Sequence, residues 1–314
     1  MTRSPVVARF AARAMGSPLH FTVVGLAPPS ARRAWRVVVD DVERTEAALS
    51  RWRRESSLSQ LNATAGSGRW TTAERRLYLA LSASNRAQRI TDGRFDPRVL
   101  GRLEALGELA EVPLPVLAVA MEQPWLQRDP RRRRVSLTVP VDSGGIGKGL
   151  ALRWAVDALR RAGLNGAGLL LEAGGDLCAS GRPPEGSGWR IAIEDPAVDD
   201  DPLAVIEIDR GSVVTSSTSV RRWSAPGGRL VHHLIDPATG EPGGDGLQAV
   251  TLLAGDPAWA EVWSKSLFLA GPRRIADEAR ARGFATWWVE ADGTLHMTPA
   301  ARAVTIWTRQ DRAA

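Results

Sequence analysis

The run Val141-Asp142-Ser143-Gly144-Gly145-Ile146-Gly147-Lys148-Gly149 is the part of this sequence best suited to chemistry. Four glycines fall within the six residues that start at Gly144, directly ahead of a helical pattern beginning near Leu150. Such a run leaves backbone N–H groups uncovered at a helix N-terminus, where phosphate oxygens bind well, and Lys148 adds a point charge. A phosphate-bearing ligand is implied. The spacing is neither a Walker A loop nor a dinucleotide fingerprint, and an ordinary tight turn would also produce it.

Other stretches could join it. Glu172-Ala173-Gly174-Gly175-Asp176 ends a buried, strand-like run and sets Asp176 beside a glycine turn, a common arrangement in itself. His232-His233 enters the turn Asp236-Pro237-Ala238-Thr239-Gly240, which brings an imidazole near a carboxylate, as general base chemistry requires. Equally, one histidine could face solvent and the other pack in the core, because neighbours on a strand point to opposite sides. Thr215-Ser216-Ser217-Thr218-Ser219 offers hydroxyls for a phosphate or a ribose, or simply forms a loop. Ser56-Ser57-Leu58-Ser59-Gln60-Leu61-Asn62 fits a capped polar helix.

Composition narrows the function classes. The 314 residues are 44% hydrophobic and 24% charged with a net charge of +6, a balance that suits a folded globule and not a disordered chain. Arginine supplies nearly all of the positive charge, because Lys148 and Lys265 are the only two lysines. The basic run Arg131-Arg132-Arg133-Arg134 has no interleaved aromatics and fits a solvated hairpin better than a nucleic-acid surface. A single cysteine, Cys178, argues against an internal disulfide or a cysteine-based zinc site. No apolar run is long enough to span a membrane and no signal segment precedes residue 18, so a cytoplasmic protein is expected.

The elements that must position these residues follow from periodicity. Residues 19–24 alternate as a strand, and Trp35, Val38, Val39, Val42 and Leu49 recur at helical spacing. Thr71 and Glu74 have the spacing of a capping box for a helix running to about Ile90. Residues 113–134 are read as short strands and turns, and residues 149–163 as a helix that stops at Gly163. A buried strand at 168–171 leads into a β-rich half with strands at 189–193, 204–208, 213–214, 230–235 and 247–253. Helices at 259–269 and 273–282 and a hairpin at Asp292-Gly293 close the chain. Segregation of helices and strands predicts an α+β fold, and the length allows one large domain or two average ones.

Taken in order, these pieces resemble the ApbE-type FAD:protein FMN transferase family. The resemblance rests on Ala14-Met15-Gly16-Ser17, the run that ends at Asn62, Gly93-Arg94-Phe95-Asp96-Pro97, the glycine run, Gly174-Gly175-Asp176, Thr215-Ser216-Ser217, and His232 through Gly240. It spans nearly the whole chain and implies that residues 1–314 form one mixed α and β catalytic unit of the T-fold-like type, which binds FAD with magnesium beside the pyrophosphate. The implied reaction moves FMN from FAD to a threonine or serine of an acceptor protein and releases AMP. By motif position Met15, Asn62, Asp96, Asp142, Gly145, Lys148, Gly175, Asp176 and Thr215 would contact FAD. His233, with Asp236 nearby and Lys148 at the phosphates, would carry the catalysis. The alternative reading of the same motifs is an FAD-binding paralogue that only hydrolyses FAD to FMN and AMP, or a non-catalytic flavin carrier.

One departure concerns the metal. The family places an aspartate and, four residues later, a threonine around magnesium with a carbonyl from the glycine loop, here that of Gly147. This chain has Glu261 and Lys265 at those positions. Glutamate can bind magnesium, whereas an ammonium has only donors. A plain i to i+4 surface pair is the alternative explanation.

Overall fold

Alternation of apolar and polar residues makes Val7–Ala14 and Ser17–Val24 a hairpin, and this hairpin forms one edge of an eight-stranded sheet. The computed structural model describes residues 5–108 and 124–309. Across the sheet, the next strands are Gly168–Ala173, Asp176–Gly181, Gly211–Ser217, Leu247–Ala254, Ala285–Glu290 and Leu295–Met297, every neighbouring pair antiparallel. Spatial order follows chain order, so hairpins and inserted helices, with no parallel crossover, build the sheet.

Alternation assigns the two faces. Leu19, Phe21 and Val23, with Leu169 and Leu171, pack against helices α1 (Pro28–Leu49) and α5 (Gly147–Arg161). Farther along the sheet, Val214, Val250 and Leu252 meet α6 (Pro257–Ala270) and α7 (Pro272–Ala281). Their neighbour Val213 points the other way, into a core shared with a three-stranded sheet of Trp189–Asp195, Val198–Ile208 and Thr305–Thr308. A separate core joins α2 (Ser57–Asn62), α3 (Arg75–Ile90), a small sheet around Arg134–Leu137, and Ile146 and Leu150 at the start of α5. A short α4 (Leu100–Ala105) follows a single 3-10 turn at Pro97–Val99. The helices and strands form the α+β arrangement expected.

Three local expectations change. Thr71 does not cap α3: Thr71–Thr72 pairs with Arg134–Leu137, and Glu74 caps the helix by accepting from the N–H groups of Arg76 and Leu77. Helix α5 begins two residues before Gly149, because the N–H groups of Ile146 and Gly147 both turn onto the Ser143 carbonyl, at 3.1 and 2.8 Å. The strand expected over 230–235 ends at His232, so His233 lies just beyond it. Within the 113–134 segment, residues up to 123 lie outside the described residues, and the remainder forms the hairpin strand Leu126–Asp129 with exposed arginines in its turn. Among the described residues, no helix is long and apolar enough to cross a membrane.

Candidate active site

Two hairpin turns meet at one end of the main sheet. Met15-Gly16 and Gly174-Gly175 all have positive φ, at +52°, +73°, +59° and +84°. Glycine enters this region freely, and Met15 is the exception that the tight turn imposes. Gly174 donates its N–H to the Pro18 carbonyl at 2.9 Å, and a Cβ there would sit 2.7 Å from that of Ser17. The turns therefore touch. Asp176 follows the second turn, buried, with Oδ2 2.5 Å from Lys148 Nζ and Oδ1 accepting the Thr215 N–H at 3.3 Å. Thr215 is exposed, and its hydroxyl lies 2.9 Å from that of Thr251. Met15 reaches across to the glycine run, where a Cβ on Gly147 would lie 3.9 Å from its Cε.

Lys148 stays charged here. Burial works against its ammonium, but Asp176 and then Glu261 outweigh it and raise its pKa. The lysine therefore holds a fixed positive charge in the first turn of α5.

The glycine run is more internally bonded than its composition suggests. Gly144 donates to Asp142 Oδ1 at 3.0 Å, and Gly149 donates to Glu261 Oε2 at 2.8 Å. With Ile146 and Gly147 turned onto Ser143, the N–H groups of Gly145 and Lys148 have no partner among the described residues. Close approach, more than backbone freedom, requires the glycines: a Cβ on Gly145 would lie 2.5 Å from the Phe95 ring, and one on Gly149 would strike the backbone of Pro257 and Ala258. Asp142 is anchored by its own N–H to the Pro97 carbonyl at 2.7 Å and faces Arg51 Nε at 3.6 Å.

Glu261 sits between the two halves of the site and is wholly buried. One oxygen accepts from Gly149, and the other faces Lys265 Nζ at 3.4 Å. Burial raises its pKa, with Lys265 and Lys148 opposing and Asp176 adding to the rise. Both oxygens are thus engaged, one by a backbone N–H and one by an ammonium. Among the described residues, no group of three or more His, Cys, Asp or Glu side chains is gathered for a metal. Glu261 with Lys265 beside it and Gly147 in the first turn of α5 does not fit a divalent-ion cage.

A cleft opens beside this pair, lined by Asp142, Gly144, Gly145, Arg221, His233 and Lys265. His233 donates its backbone N–H to the Arg221 carbonyl at 3.2 Å, and its Nδ1 lies 3.4 Å from the same oxygen. A carbonyl only accepts, so it favours the tautomer with the proton on Nδ1 and leaves the Nε2 lone pair free. Burial, then the Arg221 and Lys265 charges, push the His233 pKa well below the usual histidine range. The ring is a neutral base at neutral pH. His232 is held differently, edge-on to Phe268, with Nδ1 accepting the Leu234 N–H at 3.3 Å.

Several expected contacts have other partners. Asp236 spends Oδ1 on the Ala238 N–H at 2.9 Å and its backbone on Glu241 and Gly240, so it builds the turn after His233; the ring's own partner is the Arg221 carbonyl. Asn62 is fully buried and clamps the backbone of Val141, donating to its carbonyl at 2.9 Å and accepting its N–H at 3.0 Å. Asp96 is tied to Arg98 and to Gln88 Nε2, the latter at 2.7 Å. Asn62 therefore positions the glycine run, and Asp96 braces the segment that Phe95 and Pro97 use to touch it. Arg221 carries no sequence signal in an arginine-rich chain. Pairing of Arg222 with His232 brings it to His233, and Glu108 bridges its guanidinium to buried Arg51.

A cleft with the free Gly145 amide, several cations and a neutral imidazole is built for transfer of a phosphoryl-bearing group. The chain belongs to the ApbE family, whose family model matches residues 15–288. A relative from Klebsiella pneumoniae (strain 342), named FAD:protein FMN transferase, is 26% identical over 90% of this chain and 83% of its own length. One from Salmonella typhimurium with the same name is 25% identical over 93% of this chain and 87% of its own length. Among solved structures, the ApbE protein of Thermotoga maritima superposes with a TM-score of 0.83 at 25% identity, over 95% of this chain and 99% of that one. The apo flavinyl transferase ApbE of Pseudomonas stutzeri gives 0.80 at 26% identity, over 96% and 97%.

Proposed function

We propose that this chain splits FAD and attaches its FMN half to a threonine or serine hydroxyl of an acceptor protein, releasing AMP. The observation that carries the proposal is the convergence of the glycine run, His233, Arg221 and Lys265 on one cleft. The Gly145 and Lys148 N–H groups receive pyrophosphate oxygens, while Lys148 and Lys265 offset their charge. His233 Nε2 takes the proton from the acceptor hydroxyl as its oxygen attacks the FMN-side phosphorus. The bond from that phosphorus to the bridging oxygen breaks, and AMP leaves with that oxygen. The proton then passes from His233 to solvent.

Met15, Gly175, Asp176 and Thr215 line the flank where the rest of FAD would lie. Their support is the contact of the two hairpin turns with the start of α5. In this reading residues 1–314 act as one catalytic unit. A cytoplasmic setting belongs to the same proposal and is supported by a single, buried cysteine. Glu261 is already bonded to Gly149 and faces Lys265, so its carboxylate is not open to magnesium in this reading.

The test is binding and turnover with the purified chain. FAD should bind more tightly than FMN or riboflavin, and AMP should form only when an acceptor protein is added. Equal affinity for all three flavins would overturn the pyrophosphate assignment. AMP released at the same rate without acceptor would make the chain an FAD hydrolase.

A further inference from the structure

Glu261 is a carboxylate with no exposed surface, placed between two lysines that are the only ones in the chain. Charges alternate along this line: Asp176 pairs with Lys148 at 2.5 Å, both Lys148 and Lys265 act on Glu261, and Lys265 Nζ lies 3.4 Å from Glu261 Oε1. A buried carboxylate requires a positive partner, and an exchangeable metal ion or a resident side chain can provide it. Here the partner is resident. Lys265 is one helical turn beyond Glu261 on α6, its side chain is 16% exposed, and it lines the cleft that also holds His233. The 3.4 Å contact is long for an ion pair, and an ammonium has three donors, so Lys265 retains capacity for a second anion. Lysine suits this position better than arginine because a compact point charge can serve a buried oxygen on one side and a ligand on the other.

The glycine run points the same way. Within Gly144–Gly149, four N–H groups already have partners in the protein and only those of Gly145 and Lys148 are left among the described residues, so backbone amides there supply little of the charge that a pyrophosphate needs. Arg221 lines the same cleft, but its guanidinium is held to one side by Glu108, which it shares with Arg51.

We propose that Lys265 is the built-in cation of this active site: held by Glu261, it contacts the FAD pyrophosphate where a divalent ion on Glu261 would otherwise sit, so that FAD binding does not depend on such an ion. The proposal rests on the FAD reading above. Glu261 is then a positioning residue that acts through Lys265 and through the Gly149 N–H.

The experiment measures FAD affinity by flavin fluorescence, after removal of divalent ions with a chelator and again with excess magnesium. It compares the wild type with Lys265→Thr and Lys265→Arg, with folding checked by thermal melting. The wild type should bind FAD with affinities within about threefold in the two conditions. Lys265→Thr should lose at least tenfold in chelator and recover when magnesium can reach Glu261, while Lys265→Arg should keep part of the metal-independent affinity. Electron paramagnetic resonance with manganese alone gives a second readout, in which the wild type should immobilise no ion and Lys265→Thr should immobilise one. Wild-type FAD binding that is lost in chelator and restored by magnesium would overturn the proposal and leave the FAD reading standing, and it needs no variant to fold. Unchanged affinity of Lys265→Thr in chelator would also overturn it. Absence of FAD binding in every condition would instead overturn the flavin reading, and this proposal with it.

Discussion

Gly149 donates its backbone N–H to Glu261 across 2.8 Å, and this bond fixes the start of α5 against α6. The contact exists because residue 149 has no side chain: a Cβ would lie 2.5 Å from Ala258 Cα. The glycine run, Glu261 and Lys265 are therefore set by one close helix approach.

Gly149→Ala should separate the two helices and cost about 1–3 kcal/mol through overpacking. Gly101→Ala, in α4 with open space around it, should stay within about 0.5 kcal/mol of wild type. Thermal melts of the two variants make the comparison. A Gly149→Ala protein as stable as wild type, with unchanged FAD affinity, would show that the approach is loose.

Asn62→Ala should destabilise the protein by roughly 2–4 kcal/mol, because it leaves both the N–H and the carbonyl of Val141 buried without their partners. Urea denaturation reads this directly. A variant that keeps full stability but loses FAD affinity would return Asn62 to the role of a ligand contact.

Much of the fold was legible from periodicity. Residues 19–24, 247–253 and the helices of the C-terminal half carry unbroken patterns, and the structure follows them. What periodicity could not supply was which polar group meets which. Asn62 and Asp96 stand in motifs of the resemblance, yet their partners Val141, Arg98 and Gln88 bury them. The Thr71 and Glu74 spacing suits a capping box, but pairing with the Arg134–Leu137 strand takes the threonine and leaves Glu74 as the cap. Arg221 and Arg51 were invisible because arginine is the chain's general-purpose cation, and only the closing of the Arg222 and His232 register places Arg221 beside the base. Lys148 and Lys265 stood out for the converse reason.

His233→Ala should reduce FMN transfer by about 10²–10⁴-fold while FAD remains bound, since a general base acts on the chemical step. His232→Ala should be milder, because that ring packs on Phe268 and bonds its own chain. A fully active His233→Ala protein would contradict the assignment of the base.

The pH profile follows from the lowered His233 pKa. The neutral ring is the active base, so the rate should be flat through neutral pH and fall only below the range where a free histidine titrates. An acid limb centred at or above the ordinary histidine value would contradict the cationic, buried setting. Rate measured from pH 5 to 8 at saturating FAD gives the answer.

Cys178 should be inert in the native protein, because burial pushes its thiol pKa up to about 12. A thiol reagent at pH 8 should modify it only after denaturation. Rapid labelling of the folded chain would mean that the strand Asp176–Gly181, whose first residue pairs with Lys148, opens readily.

Intact-mass spectrometry of an acceptor protein incubated with this chain and FAD tests the central claim most directly. The account predicts that the acceptor gains the mass of one FMN phosphoester on a threonine or serine, that AMP appears in equal amount, and that both are lost with His233→Ala. An acceptor of unchanged mass, beside FAD that is consumed to free FMN and AMP, would contradict it.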